Sequence, residues 1–403
     1  MPTVDLTLRA SEMWRHARAW LGRNWHLVAL GVWALGWFLI MAPGGGIAWI
    51  YFEEGTAGLF GGTGKFTPPG GLHLYASNPY LQIGPAAFAV AEVLRHLGPD
   101  NGVVTAEVLL DAAGLYAVVA IERLALAMRP DLASRTLALR LTVLIGGAAF
   151  LNAWTDLAVS YTHLDDGLAL LLAVAAARAA VAGRAVLAGV CVGLAADAKP
   201  WALVFLPIVL LLPFRVWWRA VAAAVVMLAA AWLPFVLADS GTITAARYAI
   251  TNTGDSALRA LGVTSPKTPG WDRPAQILLG WALGAAAVAR RRWAAVILLG
   301  AGARIALDPG VHGYYTAGIV MGALIWDTAG PRRPWPLWSL LSIFVLSGLP
   351  KITRNPQILG DTRLALILAF TVALLLAPAH WTWPLSPGAA HPAEGRRSAT
   401  MVR

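Results

Sequence analysis

The stretch Thr162-His163-Leu164-Asp165-Asp166, continued by the apolar run from Gly167 to Ala177, sets ionisable side chains at the mouth of a hydrophobic helix. Acids placed there are costly unless a partner or a wet cavity receives them, so at a membrane edge they are functional candidates by default. The rest of the chain supplies the membrane context. Of its 403 residues, 58% are hydrophobic and 13% charged, whereas a soluble domain is about one-quarter charged. Apolar runs of about 17 to 25 residues cross a bilayer as helices. Such runs recur along nearly the whole chain and leave no room for a separate soluble domain. The formal net charge of +10 comes from arginines beside the hydrophobic spans, where cytoplasmic loops collect them, so nucleic acid is not an expected partner. The single cysteine, Cys191, lies in an apolar run and reads as a core packer, which excludes a disulfide framework.

Taken in order, residues 1–24 form an expected cytoplasmic segment carrying Arg9, Arg15, Arg18 and Arg23, amphipathic and lying on the surface before the first span at 25–42. No small-residue cleavage site precedes the Pro43-Gly44-Gly45-Gly46 break, so that span is expected to be retained. A long non-spanning loop over 43–80 follows, rich in Gly, Pro and aromatics, and loops of this length are uncommon unless functional. Residues 81–97 are apolar. Gly84-Pro85 near their start and Glu92, Arg95 and His96 near their end nevertheless predict a helix along the outer boundary rather than a crossing.

With that segment uncounted, further spans are expected at 103–128, 136–155, 164–182, 185–198, 200–213, 218–237, 275–290, 293–306, 314–328, 336–350 and 364–383. The clusters Arg129/Arg135, Arg178/Arg184, Arg215/Arg219, Arg290 to Arg292, Arg332/Arg333 and Arg396/Arg397 then all face the cytoplasm. The expected fold is an all-α integral membrane bundle of about 12 transmembrane helices over 25–384, with a long first extracytoplasmic loop and a cytoplasmic tail at 385–403. It sits in the plasma (inner) membrane with both termini cytoplasmic. Two groups of cations, Lys351/Arg354/Arg363 and Arg247/Arg259/Lys267/Arg273, fall on the outer side against the charge rule. Either the topology differs there or they serve an anionic ligand. The two spans around Lys199 are short, about 14 residues against the usual ~20, and are expected to tilt little or form a shallow hairpin.

On this topology one face collects the long first loop, His163 with Asp165 and Asp166, Asp197 with Lys199, and the stretch from Arg304 to Tyr315. Adjacent residues on a helix point about 100° apart, so Asp165 and Asp166 cannot share a face, whereas His163 and Asp166, three apart, can. The plain alternative is that one acid caps the helix and favours its positive dipole end. Lys199-Pro200 puts proline in a first helical turn, and the ammonium there either snorkels to water or holds a phosphate as a point charge. Arg304 and Asp308, four apart, can pair; Pro309-Gly310 then breaks the helix before His312, Tyr314 and Tyr315. Boundary tyrosines are ordinary interfacial anchors, and a lone histidine is often a satisfied polar residue. In the first loop Glu53 and Glu54 are the acids, and Trp49, Tyr51, Phe52, Tyr75 and Tyr80 either stack on a sugar or settle at the interface.

This arrangement resembles the GT-C superfamily of integral membrane glycosyltransferases. It looks closest to glycosyltransferase family 87, which includes actinobacterial polyprenyl-phosphomannose-dependent α-mannosyltransferases of the cell envelope. The resemblance rests on the long first outer loop, LHLYASNPYLQIGP, the HLDD helix start, AKPWALVFLP and LDPGVHGYY. It implies that His163, Asp165 and Asp166 line a sugar-phosphate site, that Lys199 contacts the lipid phosphate, and that His312 lies at the same cavity. Such enzymes place an acidic base early in the first outer loop, and the matching position here is Ala48. The base has moved to Glu53 or Glu54, or the protein is inactive, or the residue at 48 is a substitution.

The expected activity is transfer of a sugar, mannose by the resemblance, from a polyprenyl-phosphate donor to a lipid or glycan acceptor at the extracytoplasmic face, with inversion. Such a reaction needs cations on the leaving phosphate and one carboxylate to take the acceptor proton. Lys199 and Arg304 are expected on phosphate and Glu53 as provisional base, with Asp166 and His312 at the reacting centre. His163, Asp165, Trp49, Tyr75, Asp308 and Tyr314 are expected around sugar or acceptor. No cofactor is required. A divalent metal could bind carboxylate oxygens, although no compact ligand cluster demands one. The alternatives are a transporter or flippase of lipid-linked sugars, or an inactive homologue. Transporters keep their sites near the bilayer midplane and often show repeated halves, features not apparent here.

Overall fold

The computed structural model describes residues 6–61, 70–98, 102–331 and 334–376. Among these no strand forms, and one isolated antiparallel bridge joins Thr251 to Lys267. The principal helices are α1 Leu6–Met41, α2 Trp49–Phe60, α3 Pro85–Leu97, α4 Val103–Met128, α5 Thr136–Thr155, α6 Leu164–Val181 and α7 Ala185–Ala198. They continue with α8 Trp217–Ala238, α9 Asp272–Ala289, α10 Val296–Leu307, α11 Thr316–Ala329, α12 Leu337–Ile343 and α13 Pro356–Leu376. Five segments, Trp14–Gly44, Val103–Met128, Pro130–Ser160, Phe214–Ala238 and Pro356–Leu376, are long and apolar enough to cross a membrane, and Ala185–Ala198, Pro200–Leu211, Trp293–Leu307 and Leu337–Ile352 are shorter apolar helices. Val32, Leu39 and Ile40 on α1, and Val225, Val226 and Leu233 on α8, point outward. A belt of exposed aliphatic side chains on long apolar helices is what a lipid-facing surface requires. The protein is an all-α, membrane-embedded bundle.

Several local outcomes differ from the sequence expectation. The expected boundary between residues 1–24 and the first span falls on a kink: α1 is two helices joined at Asn24, whose φ of −119° and ψ of 17° leave the helical region. The Asn24 amide donates instead to the Trp20 carbonyl at 2.9 Å, the usual competition of Asn with the helix ladder. The 43–80 stretch is not an open loop: it contains α2 and a short helix Leu74–Ser77. The helix expected from 364 begins at Pro356, because Arg363, read as a boundary charge, is neutralised inside the fold by Asp255, with Nη1 3.0 Å from Oδ2. The end of that span to 383, the tail, Lys65, Arg332, Arg333, Arg396 and Arg397 lie outside the described residues.

After Lys199 the chain forms a 3₁₀ helix, Pro200–Leu211, with Pro207 inside it. At about 2.0 Å per residue its twelve residues reach about 24 Å, against about 18 Å as an α-helix. Small residues let α7 lie close on α8: a Cβ on Gly189 would meet the Ala220 carbonyl at 2.0 Å, and one on Gly193 the Ala224 carbonyl at 2.8 Å. This is the small-residue spacing of membrane helix pairs. The expected boundary segment forms α3, whose thirteen residues reach about 20 Å, too short for a crossing. It buries Ala87, Phe88, Ala91 and Leu94 while Val90, Val93 and Leu97 stay exposed.

At one end of the bundle arginines tie helix termini together. Arg129, after α4, donates to the Pro331 carbonyl beyond α11. Arg290, after α9, donates to the Leu375 carbonyl at 2.7 Å, and Arg292 donates to that of Leu374. On α11, buried Asp327 accepts from the Ser339 amide and hydroxyl, both at 2.8 Å, and from the Trp338 amide at 3.3 Å, which fixes the start of α12. Asp327→Ala strands three donors together and is expected to lower stability by about 1 to 3 kcal/mol. Thermal unfolding of the detergent-solubilised variant checks it, and a midpoint equal to wild type would contradict it.

Candidate functional site

The polar cluster lies at the start of α6, the junction of α7 with the 3₁₀ helix, and the end of α10. Thr162, just before α6, has a positive φ of 52°, a conformation β-branched residues rarely adopt. Its hydroxyl is held by the Val159 carbonyl at 3.1 Å and buried Glu107 at 3.4 Å. This turn leaves His163 at the helix N-cap with non-helical φ −78° and ψ 75°. Helical spacing therefore does not apply to it. The His163 Nδ1 lies 3.1 Å from Asp165 Oδ1 and 3.7 Å from Asp166 Oδ2, touching both acids where the spacing rule allowed only Asp166. A carboxylate accepts, so Nδ1 carries the proton.

Three other elements close on the two acids. The Lys199 ammonium, between α7 and the 3₁₀ helix, pairs with Asp165 Oδ2 and lies 3.7 Å from Asp166. Trp201 Nε1 donates to Asp166 Oδ1 at 2.7 Å, and Arg304 of α10 donates to the same oxygen at 2.9 Å. Arg304 also pairs with Asp308 at 3.7 Å, the i,i+4 contact expected from the sequence. Its guanidinium lies between the Trp201 ring at 4.0 Å and the Tyr315 ring at 3.9 Å, a doubled cation–π contact. Asp308 Oδ1 accepts the Gly310 amide at 2.9 Å. Two side-chain cations thus face three carboxylates in a buried space.

That network is closed. The gap bounded by Asp166, Trp201, Arg304, Tyr314 and Tyr315 holds about 10 Å³, room for one water at most. Lys199 and Arg304, expected on phosphate, are instead committed to aspartates. His163, Asp165 and Asp166 bring possible metal-ligand atoms within 4.8 Å of one another, but Lys199 and His163 occupy the Asp165 oxygens and Trp201 and Arg304 occupy Asp166 Oδ1, which leaves Asp166 Oδ2 as the one carboxylate oxygen of the pair without a hydrogen bond. The donor set therefore does not fit a divalent ion without displacing these partners.

Open space lies next door. The His163 ring stacks on Tyr314 at 3.8 Å, and Tyr314 stacks on His312 at 5.3 Å. His312 and Tyr315 then line a cavity of about 390 Å³, within the size range of ligand sites. Its apolar wall comes from Trp37 and Met41 of α1 with Leu346, and its polar lining includes Asp156, Lys351 and the Arg363–Asp255 pair. No carboxylate among the described residues lies within ion-pairing distance of Lys351, whereas Arg363 is already paired. Burial lowers the His312 pKa, so its imidazole is neutral at pH 7.

Other expected site residues lie elsewhere. Trp49 and Tyr75 are buried: Trp49 stacks on Phe52 at 5.3 Å, Tyr75 packs against Trp232 and Phe235, and the Tyr75 hydroxyl donates to the Ile83 carbonyl. They pack this segment onto the bundle rather than offering rings to a sugar. Glu53 lines neither space, and Glu54 accepts from Tyr80 at 3.2 Å. Buried Ala48 is beside the site through its backbone: Gly46, Ile47 and Ala48 amides donate to the Val159, Ser160 and Tyr161 carbonyls at 3.0, 3.2 and 2.9 Å. Asp156 and Asn152 were missed in the sequence. The available signal was an acid in an apolar span only seven residues before His163.

Compared with known proteins, the chain matches no protein-family model, no curated protein and no solved structure.

Proposed function

We propose that the chain is a membrane glycosyltransferase. It moves a hexosyl group, mannose by the family resemblance, from a polyprenyl phosphate to a lipid or glycan acceptor at the extracytoplasmic face, with inversion. The proposed topology keeps twelve crossings in the plasma membrane and both termini in the cytoplasm. The observation that carries this reading is the 390 Å³ cavity, where an apolar wall from α1 meets Asp156, His312 and Lys351. A lipid-linked phosphate needs both chemistries side by side. Lys351 is assigned the leaving phosphate, because Lys199 and Arg304 are held by Asp165 and Asp166. The buried cluster is assigned a supporting role: it fixes α6, α10 and the start of the 3₁₀ helix, and through Tyr314 it sets His312.

Radiolabelled polyprenyl-phosphomannose, -glucose and -galactose, given to purified protein in lipid nanodiscs with a panel of octyl glycosides and membrane lipids, test the proposal. Labelled glycoside product is expected from at least one pair. No product from any pair would sink the enzyme reading. Passage of the intact donor across sealed vesicles without product would favour the flippase.

A further inference from the structure

We propose that Asp156 is the general base that takes the acceptor's proton, an assignment that rests on the glycosyltransferase reading and deepens it. Two carboxylates line the large cavity, and Asp255 is committed to Arg363. Asp156 has no cation within ion-pairing distance among the described residues, and the Lys351 ammonium lines the same cavity. Its position is set by a π-helical turn, Asp156–Ser160, at the end of α5. One extra residue in that turn shifts the helical register, so that Leu157, Ala158 and Val159 are buried while Asp156 is only half-buried. Such turns occur often at functional sites.

The far wall is cut to receive this carboxylate. A Cβ on Gly313 would lie 2.6 Å from Asp156 Oδ2, so a residue without a side chain faces it, immediately beside His312. The outer loop supplies no competing acid to the cavity: Glu53 and Glu54 do not line it, and position 48 is alanine. In the step, the acceptor hydroxyl oxygen bonds to the anomeric carbon as its proton passes to the Asp156 carboxylate. The bond from that carbon to the phosphate oxygen breaks, and the phosphate leaves with the electron pair facing the Lys351 ammonium. Asp156 then gives its proton to water.

The test compares wild type, Asp156→Asn, Asp156→Glu and Glu53→Gln with polyprenyl-phosphomannose and octyl glycosides, each protein first shown to be monodisperse with a wild-type unfolding midpoint. Asp156→Asn is expected to lose transfer by about 100-fold or more, the usual contribution of a general base. Azide carries no proton to remove, so it is expected to restore turnover in Asp156→Asn as glycosyl azide, and Asp156→Glu is expected to keep part of the activity. Transfer by Asp156→Asn within about threefold of wild type overturns the assignment and leaves the enzyme reading standing. So does loss in Glu53→Gln with Asp156→Asn unaffected. An Asp156→Asn protein that forms neither product, with Asp156→Glu equally dead, makes the residue structural and also overturns it. A wild type inert toward every pair removes both claims.

Discussion

Replacing Arg304 by methionine is expected to lower folding stability by about 3 to 5 kcal/mol, the range for removing one partner of a buried ion pair. The methionine keeps much of the packing volume between Trp201 and Tyr315 but deletes the charge. Asp166 Oδ1 then keeps only the Trp201 N–H, and Asp308 loses its cation. Both carboxylates are buried, so water does not replace what is lost. Unfolding of the detergent-solubilised protein, followed with Asp166→Asn and the double variant, reads the effect. The double variant is expected to recover part of the loss, because neutralising Asp166 removes the stranded charge. A single-variant loss below about 1 kcal/mol, as for an exposed pair, would show that Arg304 is wetter or less committed than the geometry indicates.

Gly84→Ala is expected to be comparably severe, for a steric reason. A Cβ at position 84 would lie 1.5 Å from the Asp197 carbonyl oxygen and 2.9 Å from that of Ala198. Both obstacles are backbone at the end of α7, and neither rotates away. The Gly84 amide also donates to the Ala198 carbonyl at 2.9 Å, so the segment cannot retreat without breaking that bond. Overpacking in a close-packed site costs about 1 to 3 kcal/mol and occasionally more; with two carbonyls in the way the upper end is expected. Because the next residue is Lys199, the displacement also reaches the Asp165 ion pair. Measured midpoints and the yield of monodisperse protein check this, and a stable, active Gly84→Ala protein would contradict the close approach.

Much of the bundle is visible in the chain because membrane insertion is governed by long apolar runs, which composition reveals directly. The meeting of His163, Asp165, Asp166, Lys199 and Arg304 is visible for a related reason: charges in apolar surroundings need partners, and few others were on offer. What the sequence hides is which of these groups stay accessible. Pairing of Lys199 with Asp165 and of Arg304 with Asp166 is a long-range outcome that helical spacing does not encode. The π-helical turn that exposes Asp156 is equally hidden, since it inserts one residue into an otherwise regular apolar helix. Trp49 and Tyr75 show the same limit from the other side. An aromatic in a glycine-rich segment between spans reads alike whether its ring faces a sugar or packs against Phe52 or Trp232. Arg363 was conspicuous as a charge on the unexpected side, and its partner Asp255, about a hundred positions earlier, explains it.

The contribution of α13 to the cavity wall has a consequence for biosynthesis. Arg363 is supplied by α13, and Arg290 and Arg292 latch that helix by the Leu375 and Leu374 carbonyls. A nascent chain still emerging from the ribosome lacks one side of the chamber until α13 docks. Interruption of synthesis ahead of α13 therefore leaves an inserted protein with a breached chamber.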